Sequence, residues 1–391
     1  MDAALFAASP IGSLVRITGR DPRYGEDYDH VAYLAHPLPD EVGLRQDTYA
    51  AITRATAAVG RLDQAAWRLP NPQLLIRPAI RREAVSTSAL EGTYAALDDV
   101  LEADFLQEAQ LTASVAEVQN YVRAAEIAYR AISEQSVSVP MLSELQKVLV
   151  HNTRGDTPEA GQIRSTQVFI GSSAGRVHEA RFVPAPPGDQ MAAGLSDLIK
   201  WINADNRIPI LVKMALGHYQ FETLHPFNDG NGRLGRLVCV LQLAREGELR
   251  LPVLNISPWL EARRKEYQDH LLQVSVTGDF DPWVQFFSEA VRVQAGRAVD
   301  KIAALHDWRD DSLARLREAG VRGIAVQITE DMLGYPIITP SEAARRYSMS
   351  YPAINSAIRR LESLGIIRER SGRSYGRVYV ATPVLRIYQS D

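Results

Sequence analysis

The stretch from His225 to Arg236 reads His-Pro-Phe-Asn-Asp-Gly-Asn-Gly-Arg-Leu-Gly-Arg, and it limits what this chain can build more than any other. Leu211, Met214, Ala215 and His218 recur at helical spacing before it, so a helix runs into it. Pro226 disfavours helical geometry at the preceding residue, which places His225 at or just past the helix end. Leu234, Leu237, Val238 and Leu241 form a second apolar stripe, so a new helix starts near Gly232. Between the two, Gly230 and Gly232 allow a tight turn and a close approach to a ligand. The free N–H groups at the new helix start form an anion site, aided by the helix dipole. Arg233 and Arg236 are three apart and share a helix face, and guanidinium forks suit phosphate oxygens. Asp229 is a hard oxygen ligand where Mg²⁺ would be wanted beside phosphates. His225 is the one group here that can accept a proton near neutral pH. Together these residues describe a nucleotide-phosphate cradle with a base beside it.

The twelve residues match the pattern His-Pro-Phe-x-(Asp/Glu)-Gly-Asn-Gly-Arg-x-x-Arg, and the chain thereby resembles the Fic (filamentation induced by cAMP) family. The resemblance implies transfer of AMP from ATP to a Ser, Thr or Tyr hydroxyl of a target protein, self-modification included. It implies that His225 is the base and Asp229 the Mg²⁺ ligand. It places Asn228, Gly230, Asn231, Gly232, Arg233 and Arg236 around the nucleotide, with Phe227 as a core anchor. Relatives with another phosphate donor, or with the reverse, AMP-removing reaction, keep those alternatives open. A DNA-binding regulator that uses the pocket as a nucleotide sensor is the non-enzymatic alternative.

Composition fits this frame. The chain has 391 residues, enough for two or three domains. Its net charge of −4 argues against a polyanion binder over its whole length. No apolar run approaches the roughly 20 residues of a membrane span, and Met1-Asp2-Ala3-Ala4-Leu5-Phe6 has no basic n-region. The only cysteine, Cys239, sits in an apolar stripe and reads as a small core hydrophobe. The expected setting is cytoplasmic, with no membrane contact.

In chain order, residues 1 to about 40 show little periodicity and a loop-like Asp21–Tyr28. A helix is expected from about Asp40 to Val59, with Leu69-Pro70-Asn71-Pro72 as a breaker. A further helix is expected from Ala79 to about Phe105. Inside it, Thr87 and Glu91 are four apart and face one way, and Gly92 reads as a close-packing glycine. On spacing alone, Glu91 is an ordinary surface glutamate. The family resemblance implies more, because Thr87, Glu91 and Gly92 match an inhibitory (Ser/Thr)-x-x-x-Glu-(Gly/Asn) motif whose glutamate pairs with the second motif arginine, here Arg236. Residues Ala113 to Val150 read as helical. Val168-Phe169-Ile170-Gly171 and Arg181-Phe182-Val183 flank the turn Ser172-Ser173-Ala174-Gly175 and read as a hairpin. By resemblance it is a flap over the active site that docks a target segment by strand addition.

Met191 to Ala204 is an amphipathic helix. Ser257 is expected to cap a helix that has Pro258 at its first position and runs past Tyr267. By resemblance Tyr267 could contact the nucleotide, although Gln268 stands where many relatives carry a second tyrosine. Thr339 and Glu342 form a capping box before a short helix. A second helix from Tyr351 and two β-prone runs follow, and the set resembles a winged helix-turn-helix. Arg359, Arg360, Arg373 and Arg377 could touch phosphates there, so DNA, protein docking and a homodimer all remain open partners. The expected organisation is mainly α. An N-terminal helical segment (1–110) carries the inhibitory motif, and a Fic core with a small hairpin flap (111–300) follows. A helical connector (301–332) leads to a winged helix-turn-helix (333–391).

Overall fold

The computed structural model describes residues 1–21, 24–106, 110–171, 176–372 and 376–390. The chain opens with a short helix, α1 (Ala3–Phe6). Two nine-residue strands, β1 (Gly12–Arg20) and β2 (Asp27–Ala35), then pair antiparallel from Gly12↔Ala35 to Arg20↔Asp27. This hairpin is a departure from the sequence expectation of little periodicity. Ile17 is the only side chain of β1 that is fully buried, so its inward face is too thin to show as apolar alternation. The ribbon covers a small satellite core of Phe6, Ile17, Tyr33, Phe182 and Val183.

Helix α2 (Gln46–Ala66) lays Ile52, Ala55, Val59 and Leu62 into the main core. It starts later than expected because its cap comes from elsewhere: Asp281 accepts from the Arg45 N–H at 2.8 Å and from the Thr48 hydroxyl. One 3-10 turn (Pro72–Leu75) leads into α3 (Ile76–Leu90). The long helix expected to reach Phe105 stops here instead. Gly92 has φ of +94°, and no atom lies within 4 Å of where a Cβ would stand, so it is no packing glycine. It is the left-handed terminator: the Thr93 N–H reaches the Ser88 carbonyl at 2.9 Å and the Gly92 N–H reaches Ala89 at 3.0 Å. That closure leaves Glu91 at the helix end. Helix α4 (Leu97–Glu102) resumes after it. The expected run over 113–150 divides into α5 (Ala113–Ile132), capped by Thr112, and α6 (Val139–Val150), capped by Ser138.

Helix α7 (Asp189–Asn203) precedes the central pair, α8 (Ile210–Leu224) and α9 (Asn231–Arg245). Both are buried on nearly every side, as expected of helices without a polar face, and Cys239 packs among them. Ser257 does not cap the next helix. It is the first residue of α10 (Ser257–Glu261), and its hydroxyl donates to buried Glu83. A break then separates α11 (Arg264–Thr277), which carries Tyr267.

Helix α12 (Asp281–Glu318) runs 38 residues without interruption, past residue 300 where core and connector were expected to divide. After α13 (Ile324–Asp331) come β3 (Ile337–Ile338), α14 (Pro340–Arg346), α15 (Tyr351–Ser363), β4 (Arg368–Glu369), β5 (Tyr379–Val380) and α16 (Thr382–Gln389). The three short strands form an antiparallel sheet in the order β3-β5-β4. Thr339 caps α14 through the Glu342 N–H at 3.2 Å. One apolar core continues from α2 through α16. Among the described residues no helix is long and apolar enough to cross a membrane.

Candidate active site

His225 is the C-cap of α8 and stands in the left-handed region, φ 49° and ψ 61°. A non-glycine residue needs outside support there, and Arg164 supplies it. The Arg164 guanidinium is fully buried and donates to the carbonyls of His225 (2.7 Å), Thr166 (3.0 Å) and Ala185. The turn that follows is closed by Asn231, whose carboxamide accepts from the Phe227 N–H (3.0 Å) and donates to its carbonyl (2.7 Å). Phe227 is wholly buried. Gly230, with φ of +83°, is the N-cap from which α9 begins, and only a residue tolerant of that region fits.

Where these helix ends meet, a cavity of about 300 Å³ opens to solvent. Glu222, Thr223 and His225 line it from α8, and Gly232 and Arg236 from α9. Leu90 and Glu91 enter from the tip of α3, and Tyr267 and Gln268 from α11. Ile170, Gly171, Arg181 and Phe182 form the remaining wall. The expected flap is therefore beside the cavity, but it is less regular than a hairpin. Among the described residues an antiparallel bridge joins Ile170 to Phe182, while Phe169 packs edge-on against Tyr28 of β2 at 5.6 Å. Val168 is half-buried and does not line the cavity. The expected turn over 172–175 lies outside the described residues.

The anion site at the start of α9 is filled from within the chain. The Glu91 carboxylate lies 2.6 Å from Arg236 Nη2, and a Cβ on Gly232 would come within 2.1 Å of Glu91 Oε1. Thr87 adds two contacts: its hydroxyl accepts from Arg236 Nε at 2.7 Å and its carbonyl from Nη2 at 3.0 Å. Burial pushes the Glu91 carboxyl up, but Arg236 outweighs it and holds the group below the usual carboxylate range. Burial likewise opposes the charge on Arg236, and Glu91 more than restores it. Arg233 turns the other way, to Glu117 at 2.6 Å and Asp229 at 3.2 Å.

His225 is poised as a neutral imidazole. Burial and then Arg164 lower it to about 4, and its buried Nδ1 makes no hydrogen bond. Glu222, not anticipated from sequence, is pushed up to about 8 by burial, with Arg236 opposing and Glu91 adding to the rise. It is a protonated carboxyl at neutral pH, with an unpartnered Oε1. Tyr267 presents its ring to the cavity and turns its hydroxyl inward, 2.6 Å from His218 Nε2.

Of the residues expected around the nucleotide, Asn228, Asp229, Gly230, Asn231 and Arg233 do not line the cavity. Asn228 is exposed and bonds Thr166 (3.0 Å) and Glu159 (2.6 Å), because the turn points it outward. The Asn231 carboxamide is consumed by the turn itself. Asp229 stands beside the site with its carboxylate on Arg233, 3.8 Å from Arg154 Nε and packed against Gly155. Among the described residues no group of three or more His, Cys, Asp or Glu could hold a metal ion. A lone carboxylate still fits Mg²⁺ where phosphate oxygens and waters supply the other ligands.

Comparison with known proteins agrees with this geometry. The family model described as Fic/DOC family N-terminal matches residues 49–130, and that of the Fic/DOC family matches residues 136–243. Protein adenylyltransferase fic-1 of Caenorhabditis elegans is 32% identical over 157 residues, which is 39% of this chain and 27% of that protein. Protein adenylyltransferase Fic of Culex quinquefasciatus is 34% identical over 137 residues, 34% of this chain and 24% of that one. The matched region thus spans about a quarter of the length of these relatives. The crystal structure of a Fic family protein from Desulfovibrio desulfuricans G20 superposes with a TM-score of 0.57 at 22% identity, covering 88% of this chain and 98% of that one. That likeness shows a common fold.

Proposed function

The chain belongs to the Fic/DOC family, and on that premise we propose that it transfers AMP from ATP to a hydroxyl side chain of a target protein and is held in check by Glu91. One observation carries the reading. A carboxylate from α3 occupies the helix mouth where a phosphate would bind, in the same cavity as a neutral imidazole.

The target hydroxyl gives its proton to His225. Its oxygen bonds to the α-phosphorus, the bond from that phosphorus to the bridging oxygen breaks, and pyrophosphate leaves. The N–H groups at the start of α9 and the Arg236 guanidinium stabilise the developing charge. Phosphate beside His225 raises its pKa from about 4 toward neutrality, the range in which a base works best. Mg²⁺, when bound, would neutralise phosphate charge, with Asp229 as its protein ligand. The Ile170–Gly171 edge would hold a target segment by main-chain pairing.

With Glu91 on Arg236, a triphosphate loses one of its arginines and meets a like charge. Nucleotide then binds in a poor orientation for attack. The DNA reading draws on Arg359 and Arg377, and Arg373 lies outside the described residues. Arg360 instead donates to the Ala319 carbonyl at 3.3 Å, and Arg370 docks on Asp98 and Glu102. The C-terminal unit therefore works first as a partner of the catalytic part.

Labelled ATP with Mg²⁺ tests the proposal. Wild-type chain should label itself weakly, Glu91→Gly about tenfold or more strongly, and His225→Ala at least about a hundredfold less than Glu91→Gly when introduced into it. Equal labelling with and without His225 would overturn the proposal.

A further inference from the structure

One guanidinium underlies both halves of the proposed site without lining its cavity. Arg164 is 1% exposed and is not part of the cavity wall. Besides the carbonyls of His225, Thr166 and Ala185, its Nη2 donates to the Leu224 carbonyl at 3.4 Å. Its backbone N–H adds a bond to the Pro226 carbonyl at 2.9 Å. Leu224, His225 and Pro226 are the exit of α8, which carries the base. Thr166 and Ala185 are the feet of the segment whose Ile170, Gly171, Arg181 and Phe182 wall the cavity.

A buried charge is costly unless something compensates it. Burial alone acts on the Arg164 guanidinium, lowering it to about 10, and no carboxylate offsets that. Its compensation is the C-terminal end of α8, where free carbonyls and the helix dipole favour a cation. An apolar side chain of similar size would fill this place at less cost. What only the planar fork supplies is several donors in fixed directions. Here they set two separate stretches of backbone in one frame. His225 depends on that frame, because a left-handed φ of 49° is unfavourable for a residue with a Cβ.

We propose that Arg164 is a positioning residue for transfer: it fixes the backbone of His225 and both feet of the docking edge in one frame, so that a hydroxyl held along Ile170–Gly171 arrives at the imidazole. Its role in transfer rests on the proposed reaction; the bracing itself does not.

Self-labelling of the Glu91→Gly chain at varied ATP tests the role. Arg164→Met keeps most of the volume without donors, and Arg164→Lys keeps the charge without the fork. Both should lower kcat by about tenfold or more and leave KM for ATP within about twofold, as expected when a reacting group is misplaced and binding is not. Leu316→Ala, a core cut near the far end of α12, should lose stability in urea and keep its kcat, which separates positioning from general loosening. Full kcat in either Arg164 variant overturns the proposal, and so does an equal fall in Leu316→Ala. Hydrogen exchange without ATP reads the bracing independently of activity. Arg164→Lys should speed exchange in 166–171, 180–185 and 221–227 together and leave 233–245 unchanged. Faster exchange on one side only, or on neither, overturns the bracing. No labelling by the Glu91→Gly chain itself would count against the transfer reaction, and exchange would still decide the bracing.

Discussion

The two ends of α3 are held by different physics. At the root, Arg77 and Arg81 both grip Asp104, with Arg77 Nε at 2.8 Å and Arg81 Nη2 at 2.9 Å. Arg77 also donates to the carbonyls of Gly334 (2.9 Å) and Leu101 (3.1 Å). Ile80 and Ala84 fill the core beside them. At the tip, the Glu91 side chain is 37% exposed and rests on one arginine. The root is made of contacts that no ligand would replace. At the tip, Arg236 is held by Thr87 twice and by Glu91 once, and only the Glu91 contact is one for which a phosphate is the natural competitor. A helix built this way stays in place while its last side chain exchanges, and the root decides how well the tip can reach.

Breaking the root should have the largest effect on the fold. Asp104→Ala leaves Arg77 and Arg81 without their carboxylate and should cost about 3 kcal/mol in urea unfolding, while self-labelling rises toward the Glu91→Gly level. An unchanged labelling rate would show that root and tip are uncoupled. Gly92→Ala comes next. Its φ of +94° suits glycine, so the substitution should cost about 1–2 kcal/mol, read as a lower Tm. Thr87→Ala removes the hydroxyl that accepts from Arg236 and should cost about 1 kcal/mol. Its labelling should rise by less than that of Glu91→Gly, because the carboxylate remains.

The smallest effect, and the sharpest contrast, is in pH. Burial pushes Glu83, at the root, up to about 7 despite its bonds from Ser257, whereas Glu91 at the tip is held low by Arg236 against burial. For Glu83 the unfolded chain ionises first, so stability is lost as pH rises from about 4.5 to about 7. For Glu91 the folded chain gives up its proton first, so stability is present above the ordinary carboxylate range and lost as pH falls through it. Urea unfolding across pH should show Glu83→Gln flattening the upper window and Glu91→Gln the lower one. The same window removed by both variants would dissolve the contrast.

The helix mouth was legible in the sequence because its chemistry is contiguous: twelve residues carry the turn, the anion site and the imidazole. The pairing of Glu91 with Arg236 spans 145 positions and came only through the family pattern, since local spacing offered a plain surface glutamate. Gly92 was misread because a terminating glycine and a packing glycine look alike until φ is known. The N-terminal hairpin was missed because β1 buries only the Ile17 side chain and so shows no apolar alternation. Arg164 left no signal at all. Its partners are backbone carbonyls, which every residue has, and only the fold brings them to one guanidinium. Glu222 was missed for a similar reason, because burial rather than identity makes its carboxyl unusual.

The uninterrupted α12 has a practical corollary. Its early turns back the catalytic core and its later ones, with Leu305 and Leu316 buried, lie beneath α13 and α16. Cutting the chain after residue 334 would strip Tyr388 from its bond to the Leu333 carbonyl and lay a greasy flank open to water. A shortened protein that turned sticky or silent would thus say nothing about what the removed residues recognise. Swapping individual surface arginines, with the shaft left clothed, is the cleaner way to ask.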